Sequence, residues 1–541
     1  MMRQISNKMK HTFLLVSVLQ LAALYAADAP ASRPNIVFIL SDDHSLQTIG
    51  AYGARLSDFC KQQNVTPNID RLAEQGGLFA NSFCGNSLCS PSRAAILTGL
   101  HAHANGVTTI GSQKPIPSTV WNYQKGLRAA GYQTALIGKW HLIAPPDTDF
   151  SLPLSGQGQY WNPTFIGLNG KEEHKGYVAD VITDLSVDWL KHRDKSKPFM
   201  LAVHHKSPHR PWMPPPRYYS SLQDVKIPEP PTLFDDYSGR ASPAHKQKMQ
   251  ISKNLSLLND LKVFPQGKYT RDFDPMSDAE RAEWDKVFGP RNEAFFKANL
   301  QGDDLTRWKY QEHMKDYLRC VKSVDDSVGR LLAELKAEGL ESNTVVIYSA
   351  DQGFYNGEHG WFDKRWIYEE SIHMPFIIRW PGVVKPGTRF NEFIQNIDYA
   401  ETFVDMAGGK IPDGLHGQSL VPVLRGETPT DWRKSVYYHS YETATHNVPK
   451  HYGVRTAEYT LAYFYTTDEW ELYDLKKDPQ QLRSVYADPA YAKVVVEMKA
   501  ELTRLREQFN DSDALEKAAD EETGRAKGKN AKEKKGGDPD P

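Results

Sequence analysis

Cysteine is scarce in this sequence. Its 541 residues include only four cysteines, Cys60, Cys84, Cys89 and Cys320. This excludes a scaffold built on disulfides, because such scaffolds are short and rich in cysteine. A bridge between Cys60 and Cys84 is one pairing that the sequence leaves open. Cys89 and Cys320 are then single thiols, and each needs a separate explanation.

An excess of charge of either sign is also missing. Lysine and arginine total 65 and aspartate and glutamate total 67, which gives a formal net charge of -2. No overall field therefore draws the protein to nucleic acid or to an anionic membrane. We expect no nucleic-acid partner, and an anionic substrate has to be bound by a local pocket.

Apolar runs long enough to span a membrane are absent as well. The run near the N-terminus, Phe13 to Ala23, has about 11 residues, well short of the roughly 20 that a membrane span needs. Basic residues precede it and Ala27-Asp28-Ala29 follows it, which is the pattern of a cleaved signal peptide over residues 1–28. The sequence therefore predicts an exported protein, periplasmic or extracellular, without a stable membrane span.

The chain instead contains short β-rich runs that alternate with helical patterns. The strand-like runs are Asn35 to Leu40, Gln133 to Ile137, Phe199 to His204, Thr344 to Tyr348 and Phe376 to Trp380. Continuous apolar runs of this kind suit strands that are buried on both faces. The alternation predicts an α/β fold, in which a central, largely parallel or mixed β-sheet is flanked by helices.

The chain is longer than the roughly 250 to 300 residues of a single core, so we expect a large domain with a smaller partner. The large domain is predicted over residues 33–426 and includes a proline-rich insertion, 211–300, that is typical of a lid or specificity wall. Shorter strand-like runs and one helix predict a small α+β domain with an antiparallel sheet over residues 427–512. Residues 516–541 have no apolar periodicity and are predicted to be disordered.

Polar residues follow several of the predicted strands directly. Asp42 and Asp43 come after the first strand, and Asp351 and Gln352 come after the fourth. Because ligands bind outside the carboxyl ends of the strands in open α/β sheets, these side chains should converge on one site. A ligand set made only of oxygens suits calcium or magnesium, and calcium tolerates irregular geometry better.

Basic and imidazole side chains are expected at the same crevice: Arg93, Lys139, His141, His209 and Lys364. A single lysine or histidine is usually a surface or core residue. Their joint placement after strand ends or in glycine-rich loops suggests a clamp for a tetrahedral oxyanion. A divalent cation together with several basic residues points to sulfuryl or phosphoryl transfer.

Cys89 lies at the predicted N-terminus of a helix, Ser90 to Leu97, where backbone N–H groups favour negative charge. That position suits a reactive thiolate, a structural cysteine or a residue that is modified after translation. The local physics leaves these three interpretations open.

The sequence Cys89-Ser-Pro-Ser-Arg93, followed by Ala-Ala-Ile-Leu-Thr-Gly99, resembles the signature of the formylglycine-dependent sulfatases. Further matching motifs are Asp42-Asp43, Gly138-Lys139-Trp140-His141, Pro208-His209, Asp351-Gln352-Gly353 and Lys364 with Tyr368-Glu369. They occur in the family's order across the whole predicted large domain. The resemblance implies an alkaline-phosphatase-like fold and the hydrolysis of sulfate esters.

In that family the cysteine is oxidised to formylglycine (3-oxoalanine) by a formylglycine-generating or anaerobic sulfatase-maturing enzyme. The resemblance implies that modified Cys89 is the nucleophile and one ligand of a single calcium ion. The other implied ligands are Asp42, Asp43, Asp351 and Gln352. Many relatives have Asn or His where this chain has Gln352, so its coordination is less firmly implied than that of the aspartates.

The resemblance also implies roles for the basic residues. Arg93 would hold the formylglycine, and Lys139 and Lys364 would bind sulfate oxygens. His209 or Lys364 would protonate the departing alcohol. His141 would accept a proton from the second hydroxyl of the hydrated aldehyde when sulfate is released.

The stretch Asp351 to Glu370 resembles bacterial exported carbohydrate sulfatases, in particular those similar to N-acetylglucosamine-6-sulfatases. The implied substrate is an O-sulfated hexosamine or hexose of a glycan. N-acetylglucosamine 6-sulfate is favoured over other sulfated sugars such as galactose and over aryl sulfates. Sugar contacts are expected from His103, Asn105, His446 and Lys450.

Two other classes of protein are weighed against this one. A phosphoryl hydrolase of the same fold would normally use Ser or Thr as its nucleophile and commonly two transition metals, which the Cys89-x-Pro-x-Arg93 sequence disfavours. A catalytically silent glycan-binding protein would be expected to have lost one of the catalytic residues. All of these residues, including Lys139 and His209, are present.

Overall fold

The computed structural model describes residues 33–110, 115–443 and 446–512. The expected signal peptide, 1–28, and the expected disordered tail, 516–541, lie outside the described residues. Among the described helices, none is both long enough and apolar enough to cross a membrane.

Strands and helices alternate through most of the described chain. The strands are β1 Asn35–Ser41, β2 Gly77–Phe83, β3 Gln133–Gly138, β4 Phe150–Pro153, β5 Thr164–Gly167, β6 Gly170–Glu173, β7 Phe199–His204, β8 Thr344–Ala350, β9 Tyr355–Asn356, β10 Phe362–Asp363, β11 Phe376–Arg379, β12 Thr388–Gln395, β13 Ser435–Ser440, β14 His451–Thr456, β15 Tyr459–Phe464 and β16 Glu469–Asp474. The α-helices are α1 Ser57–Gln62, α2 Pro67–Gln75, α3 Cys89–Thr98, α4 Ala102–Asn105, α5 Tyr123–Ala129, α6 Val178–His192, α7 Ser242–Lys246, α8 Asp278–Ala298, α9 Gly302–Ala337, α10 Glu369–Ile372, α11 Asp398–Met406, α12 Val421–Leu424 and α13 Ala492–Gln508. All of the strands expected from the apolar runs of the large domain are present.

The central sheet has eight strands in the order β12-β2-β11-β8-β1-β7-β3-β4. Neighbouring strands pair in parallel, except that β11 is antiparallel to both β2 and β8. This confirms the expected mixed sheet. Because β1 lies between β7 and β8, the residues that follow these three strands emerge at the same edge.

Apolar cores lie on both faces of the central sheet. In β1, Val37 and Ile39 pack into the core that contains α6 and α9. Ile36 and Phe38 point to the opposite face and pack into the core that contains α11. Each fully buried side chain of this size contributes roughly 1.5–3 kcal/mol, which explains why the strand is apolar at successive positions.

A four-stranded antiparallel sheet follows in the order β13-β14-β15-β16. Successive residues of β13 face opposite sides: Tyr437 packs against α13, whereas Tyr438 belongs to a core shared with the central sheet. This confirms the predicted C-terminal α+β unit with an antiparallel sheet. Within this sheet, β14 and β15 form an antiparallel hairpin.

Some elements were not apparent from the sequence. Helix α8 lies within the proline-rich segment 211–300, where no regular pattern was expected, and begins at a capping box formed by Ser277 and Glu280. Only three of its 21 residues are buried, among them Trp284 and Phe288, so its apolar periodicity is weak. The polar Asn81 similarly interrupts the apolar pattern of β2.

The structure rejects the disulfide between Cys60 and Cys84. Cys60 lies in α1 and packs into the core on one face of the central sheet. Cys84 follows β2 and packs into the core on the other face. Because the two thiols lie in different cores, they are not placed to form a bond, and all four cysteines are free and buried.

Candidate catalytic and metal site

The carboxyl ends of β1 and β8 bring two ligand-type pairs together. Ser41 is paired with Ala350 across these parallel strands, so Asp42 and Asp351 are the next residues of adjacent strands. The backbone N–H of Asp43 donates to Asp351 Oδ1 at 3.2 Å. Strand register therefore places the two ends in direct contact.

On the other side of β1, the ends of β3 and β7 are also adjacent. Gly138 is paired with His204 and has a φ of +109°. A Cβ at this position would lie 1.9 Å from the carbonyl oxygen of His204, so the close approach requires glycine. Lys139 and His141 follow, and the turn directs them to the same edge as Asp42.

Three buried carboxylates form the centre of this edge. An oxygen from each of Asp42, Asp43 and Asp351 lies within 4.8 Å of the others, and all three residues are buried. Gln352 lies beside them, and its Nε2 donates to Asp43 Oδ1. Its Oε1 is buried and accepts no hydrogen bond from any described residue. An oxygen-only set with one unpaired acceptor fits a hard cation such as calcium.

The pKa values of the three carboxyl groups are consistent with a site for a divalent cation. Burial raises the pKa of Asp351 to about 8, and the charge of Asp42 adds to the increase. Burial also raises the pKa of Asp43. Burial would also raise the pKa of Asp42. The positive charges around it, that of Lys139 above all, instead hold this pKa well below the ordinary value. Ionised carboxylates at this separation repel each other, and a divalent cation would stabilise them.

Each of the three carboxylates also has a basic partner. The pairs are Lys139 with Asp42, Lys364 with Asp43, and Arg93 with Asp351. Arg93 in addition donates from Nη1 to the carbonyl oxygen of Lys139 at 2.7 Å. It thus links the end of β3 to the end of β8, and Arg93, Lys139 and Lys364 lie together at the carboxylate cluster.

Cys89 is the first residue of α3 and is fully buried. Its Sγ lies 3.5 Å from Asp42 Oδ1 and 3.5 Å from Lys364 Nζ. Burial raises the pKa of the thiol to about 12, and Asp42 adds to the increase. A thiol with this pKa is protonated at neutral pH, which argues against a reactive thiolate in the unmodified side chain.

His141 and His209 lie at the rim of the cluster. The Nε2 of His209 is 3.8 Å from Asp43 Oδ2, and the side chain is 17% exposed. Burial lowers the pKa of His209 well below its ordinary value and lowers the pKa of His141 to about 2. Both imidazoles are therefore neutral in the protein without a bound anion.

Two of the residues expected to contact sugar lie elsewhere. Asn105 is fully buried, and its side chain bonds to Leu100 O and Val107 N. It closes its own turn, so its side chain is not exposed to a sugar in this structure. His103 bonds through Nε2 to Phe509 O at 2.8 Å, which directs it to the C-terminal segment rather than to the carboxylate cluster.

His446 does lie beside the cluster. Its Nε2 is 2.9 Å from an oxygen of Asp363, the residue before Lys364. Asp363 and Arg365 have φ values of +80° and +99°, and their side chains are 10% and 8% exposed. These two residues were not predicted from the sequence, although the charged run Asp-Lys-Arg around Lys364 marks them. Lys450 is half-buried in the segment before β14.

Two family models match the chain. The model described as Sulfatase matches residues 34–409, a range that contains every residue of the cluster from Asp42 to Lys364. The model described as N-sulphoglucosamine sulphohydrolase, C-terminal, matches residues 357–508.

Individual relatives are similar over most of the chain. N-acetylglucosamine-6-O-sulfatase of Bacteroides thetaiotaomicron is 42% identical over 522 residues, which are 92% of this chain and 92% of that protein. N-acetylglucosamine-6-sulfatase of Homo sapiens is 26% identical over 442 residues, 76% of this chain and 68% of that protein. A solved structure in complex with its substrate, D-glucosamine-2-N,6-O-disulfate, is 42% identical with a TM-score of 0.86, and the match covers 90% of this chain and 100% of that one.

These similarities include both the central sheet and the C-terminal sheet. They confirm the alkaline-phosphatase-like fold that the sequence predicted. The chain belongs to the sulfatase family and is a sulfuric ester hydrolase.

Proposed function

We propose that this sulfatase hydrolyses the 6-O-sulfate ester of a hexosamine in a sulfated glycan such as a glycosaminoglycan, with N-acetylglucosamine 6-sulfate as the favoured substrate. The observation that carries the proposal is the position of Cys89 Sγ, 3.5 Å from both Asp42 and Lys364 within the buried cluster. The 42% identity with an N-acetylglucosamine-6-O-sulfatase supports the sugar. The similar structure that binds D-glucosamine-2-N,6-O-disulfate supports the position of the ester.

Cys89 is converted to formylglycine by a formylglycine-generating or anaerobic sulfatase-maturing enzyme. The high pKa of the thiol supports this step, because an unmodified Cys89 is a poor nucleophile at neutral pH. The hydrated aldehyde would supply two hydroxyls on one carbon: one could displace the sugar alcohol from sulfur, and loss of the proton of the other would re-form the aldehyde and break the bond from carbon to the sulfate oxygen.

One calcium ion would be held by Asp42, Asp43, Asp351, Gln352 and modified Cys89. The unpaired Oε1 of Gln352 and the mutual proximity of the carboxylates support this ligand set. Calcium supplies positive charge beside the sulfate oxygens.

The basic residues act on the sulfate group. Lys139 and Lys364 bind its oxygens, while Arg93 holds the formylglycine. The departing alcohol takes a proton from Lys364, or from His209 after the bound sulfate anion has raised the pKa of this imidazole and protonated it. His141 accepts the proton of the remaining hydroxyl as sulfate leaves.

The sugar is bound by polar side chains near Lys364. Asp363, Arg365 and His446 lie around this lysine, and their side chains are largely buried, so a sugar would contact only their small exposed edges. Lys450 is a further candidate. We also infer that residues 33–426 form the catalytic domain, that 211–300 is an insertion acting as a lid, that 427–512 form the small domain, and that residues 1–28 direct export to the periplasm or the exterior.

The test is sulfate release from a panel of sulfated monosaccharides, with mass analysis of the peptide that contains Cys89. We expect N-acetylglucosamine 6-sulfate to be hydrolysed in preference to galactose 6-sulfate and aryl sulfates. The peptide should be about 18 Da lighter than its thiol form, and Cys89→Ala should fold but release no sulfate. An active protein with an unmodified thiol, or a fully active Cys89→Ala variant, would refute the proposal.

A further inference from the structure

The turn after β1 has an unusual backbone. Asp43 has a φ of +66°, in the left-handed region that residues other than glycine seldom occupy. This conformation directs the side chains of Asp42 and Asp43 into the same cluster, although they are consecutive in an extended chain. Some contact has to hold the turn in this state.

Helix α9 provides that contact through Tyr317. Its hydroxyl donates to the carbonyl oxygen of Asp43 at 2.7 Å and accepts from the backbone N–H of Ser45 at 2.9 Å. The tyrosine is fully buried. One hydroxyl group thus satisfies two backbone groups of the turn, on either side of His44, in a place where water does not reach them.

The ring of Tyr317 reaches the second ligand-bearing strand end as well. It stacks on Phe354, with ring centroids 5.6 Å apart and an interplanar angle of 19°. Phe354 is two residues beyond Gln352. A single side chain of α9 therefore contacts both the turn that carries Asp43 and the loop that carries Gln352.

We infer that Tyr317 is a positioning residue for the calcium site, and that its hydroxyl fixes the carbonyl of Asp43 so that the carboxylate is directed at Asp42 and Asp351. The inference rests on the proposed function, because it concerns the ion held by these carboxylates. Residues that orient metal ligands through hydrogen bonds typically change metal affinity by about 10–100-fold when they are substituted.

The experiment is titration of the metal-stripped full-length protein with calcium by isothermal calorimetry. Tyr317→Phe removes one oxygen atom and keeps the ring stack, so the variant retains its core packing. Tyr310→Phe is the matched control. Tyr310 lies in the same helix, is fully buried and donates to Pro228 O at 2.6 Å, away from the turn.

We expect Tyr317→Phe to raise the Kd for calcium by about 10-fold, and Tyr310→Phe to leave it unchanged. Thermal unfolding without calcium should show similar losses of stability in both variants, which separates positioning from a general structural role. Equal calcium affinity in Tyr317→Phe and the unsubstituted protein would overturn this inference alone. Failure of the unsubstituted protein to bind calcium would overturn the proposed metal site together with it.

Discussion

The ammonium nitrogen of Lys364 lies 2.6 and 2.7 Å from the two carboxylate oxygens of Asp43. Lys139 makes the corresponding contact with Asp42. The same oxygens are the proposed calcium ligands. A lysine ammonium and a divalent cation are attracted to these oxygens and repel each other, so calcium affinity and sulfate binding are coupled through the lysines.

Lys364→Met should therefore change activity and calcium binding in opposite directions. We expect kcat/KM for the sulfated sugar to fall by about 100-fold or more, because a cation that binds sulfate is lost. The Kd for calcium should decrease, because one positive charge no longer competes for Asp43. Sulfate release and calorimetry measure the two quantities.

The matched control for this variant is Lys262→Met. Lys262 is also fully buried, but its ammonium donates to Trp212 O and Asp260 O, away from the carboxylate cluster. This variant should be less stable and retain the calcium affinity of the unsubstituted protein. Weaker calcium binding in Lys364→Met than in the control would contradict the proposed competition.

His446 offers a test of the sugar contacts. Its Nε2 lies 2.9 Å from Asp363, and we expect His446→Ala to raise KM for N-acetylglucosamine 6-sulfate by about 10-fold through the loss of this polar pair. The rate with an aryl sulfate should change little, since an aryl group lacks sugar hydroxyls. Steady-state kinetics with both substrates measure the difference. His192→Ala, at an exposed histidine, is the control, and an unchanged KM in His446→Ala would remove this residue from the sugar site.

The edge of the central sheet was predictable from the sequence for a physical reason. Strands buried on both faces appear as uninterrupted apolar runs, so Asp42 and Asp351 were recognised as residues that follow strand ends. Parallel pairing then places such residues together. Which basic residue meets which carboxylate was not predictable, because Lys364 and Asp43 are 321 positions apart and tertiary packing decides the pairing.

The contacts that His103 and Asn105 make were not predictable for a related reason. Both follow the signature closely in sequence, and proximity in sequence suggested proximity to the substrate. The short helix α4 turns them away: Asn105 bonds within its own turn, and His103 meets Phe509, 406 residues distant. The sequence pattern contains no signal for a contact of that separation.

The contacts of Asp511 lead to a prediction about stability rather than catalysis. One oxygen of this buried carboxylate accepts hydrogen bonds from Tyr437 and Tyr441 and bonds to His439 Nδ1, at 2.6, 2.9 and 2.7 Å. Burial alone would raise the pKa of Asp511, but His439 brings it below the ordinary value. The ionised form is therefore the one that holds the C-terminal segment against β13.

Asp511→Asn should lower the free energy of unfolding by about 2–4 kcal/mol, because bonds to a buried charge are replaced by weaker ones. KM and kcat for the sulfated sugar should be unchanged at temperatures where the variant is folded. Differential scanning calorimetry and sulfate release measure these effects, and Asp413→Asn, at an exposed position, is the control. A normal melting temperature would show that these contacts are dispensable.

Asp325 of α9 caps the N-terminus of α2, which lacks a capping side chain from its own N-cap residue. Thr66, the residue before α2, accepts no hydrogen bond from the backbone N–H groups of the first turn of that helix. Asp325 instead accepts the backbone N–H groups of Asn68 and Ile69, both at 2.9 Å. Burial raises the pKa of this carboxyl group to about 7.

A carboxyl group whose pKa is higher in the folded than in the unfolded protein makes the folded state bind the proton more tightly. The contribution of Asp325 to stability should therefore fall as the pH rises from about 4 to about 7. Asp325→Asn cannot ionise and should lack this dependence, so the melting temperature of the unsubstituted protein, relative to the variant, should decrease between about pH 5 and about pH 8. Calorimetric melting curves across this range test the expectation, with Asp413→Asn as the control for an exposed carboxylate. Parallel curves for the unsubstituted protein and Asp325→Asn would show that Asp325 is ionised throughout.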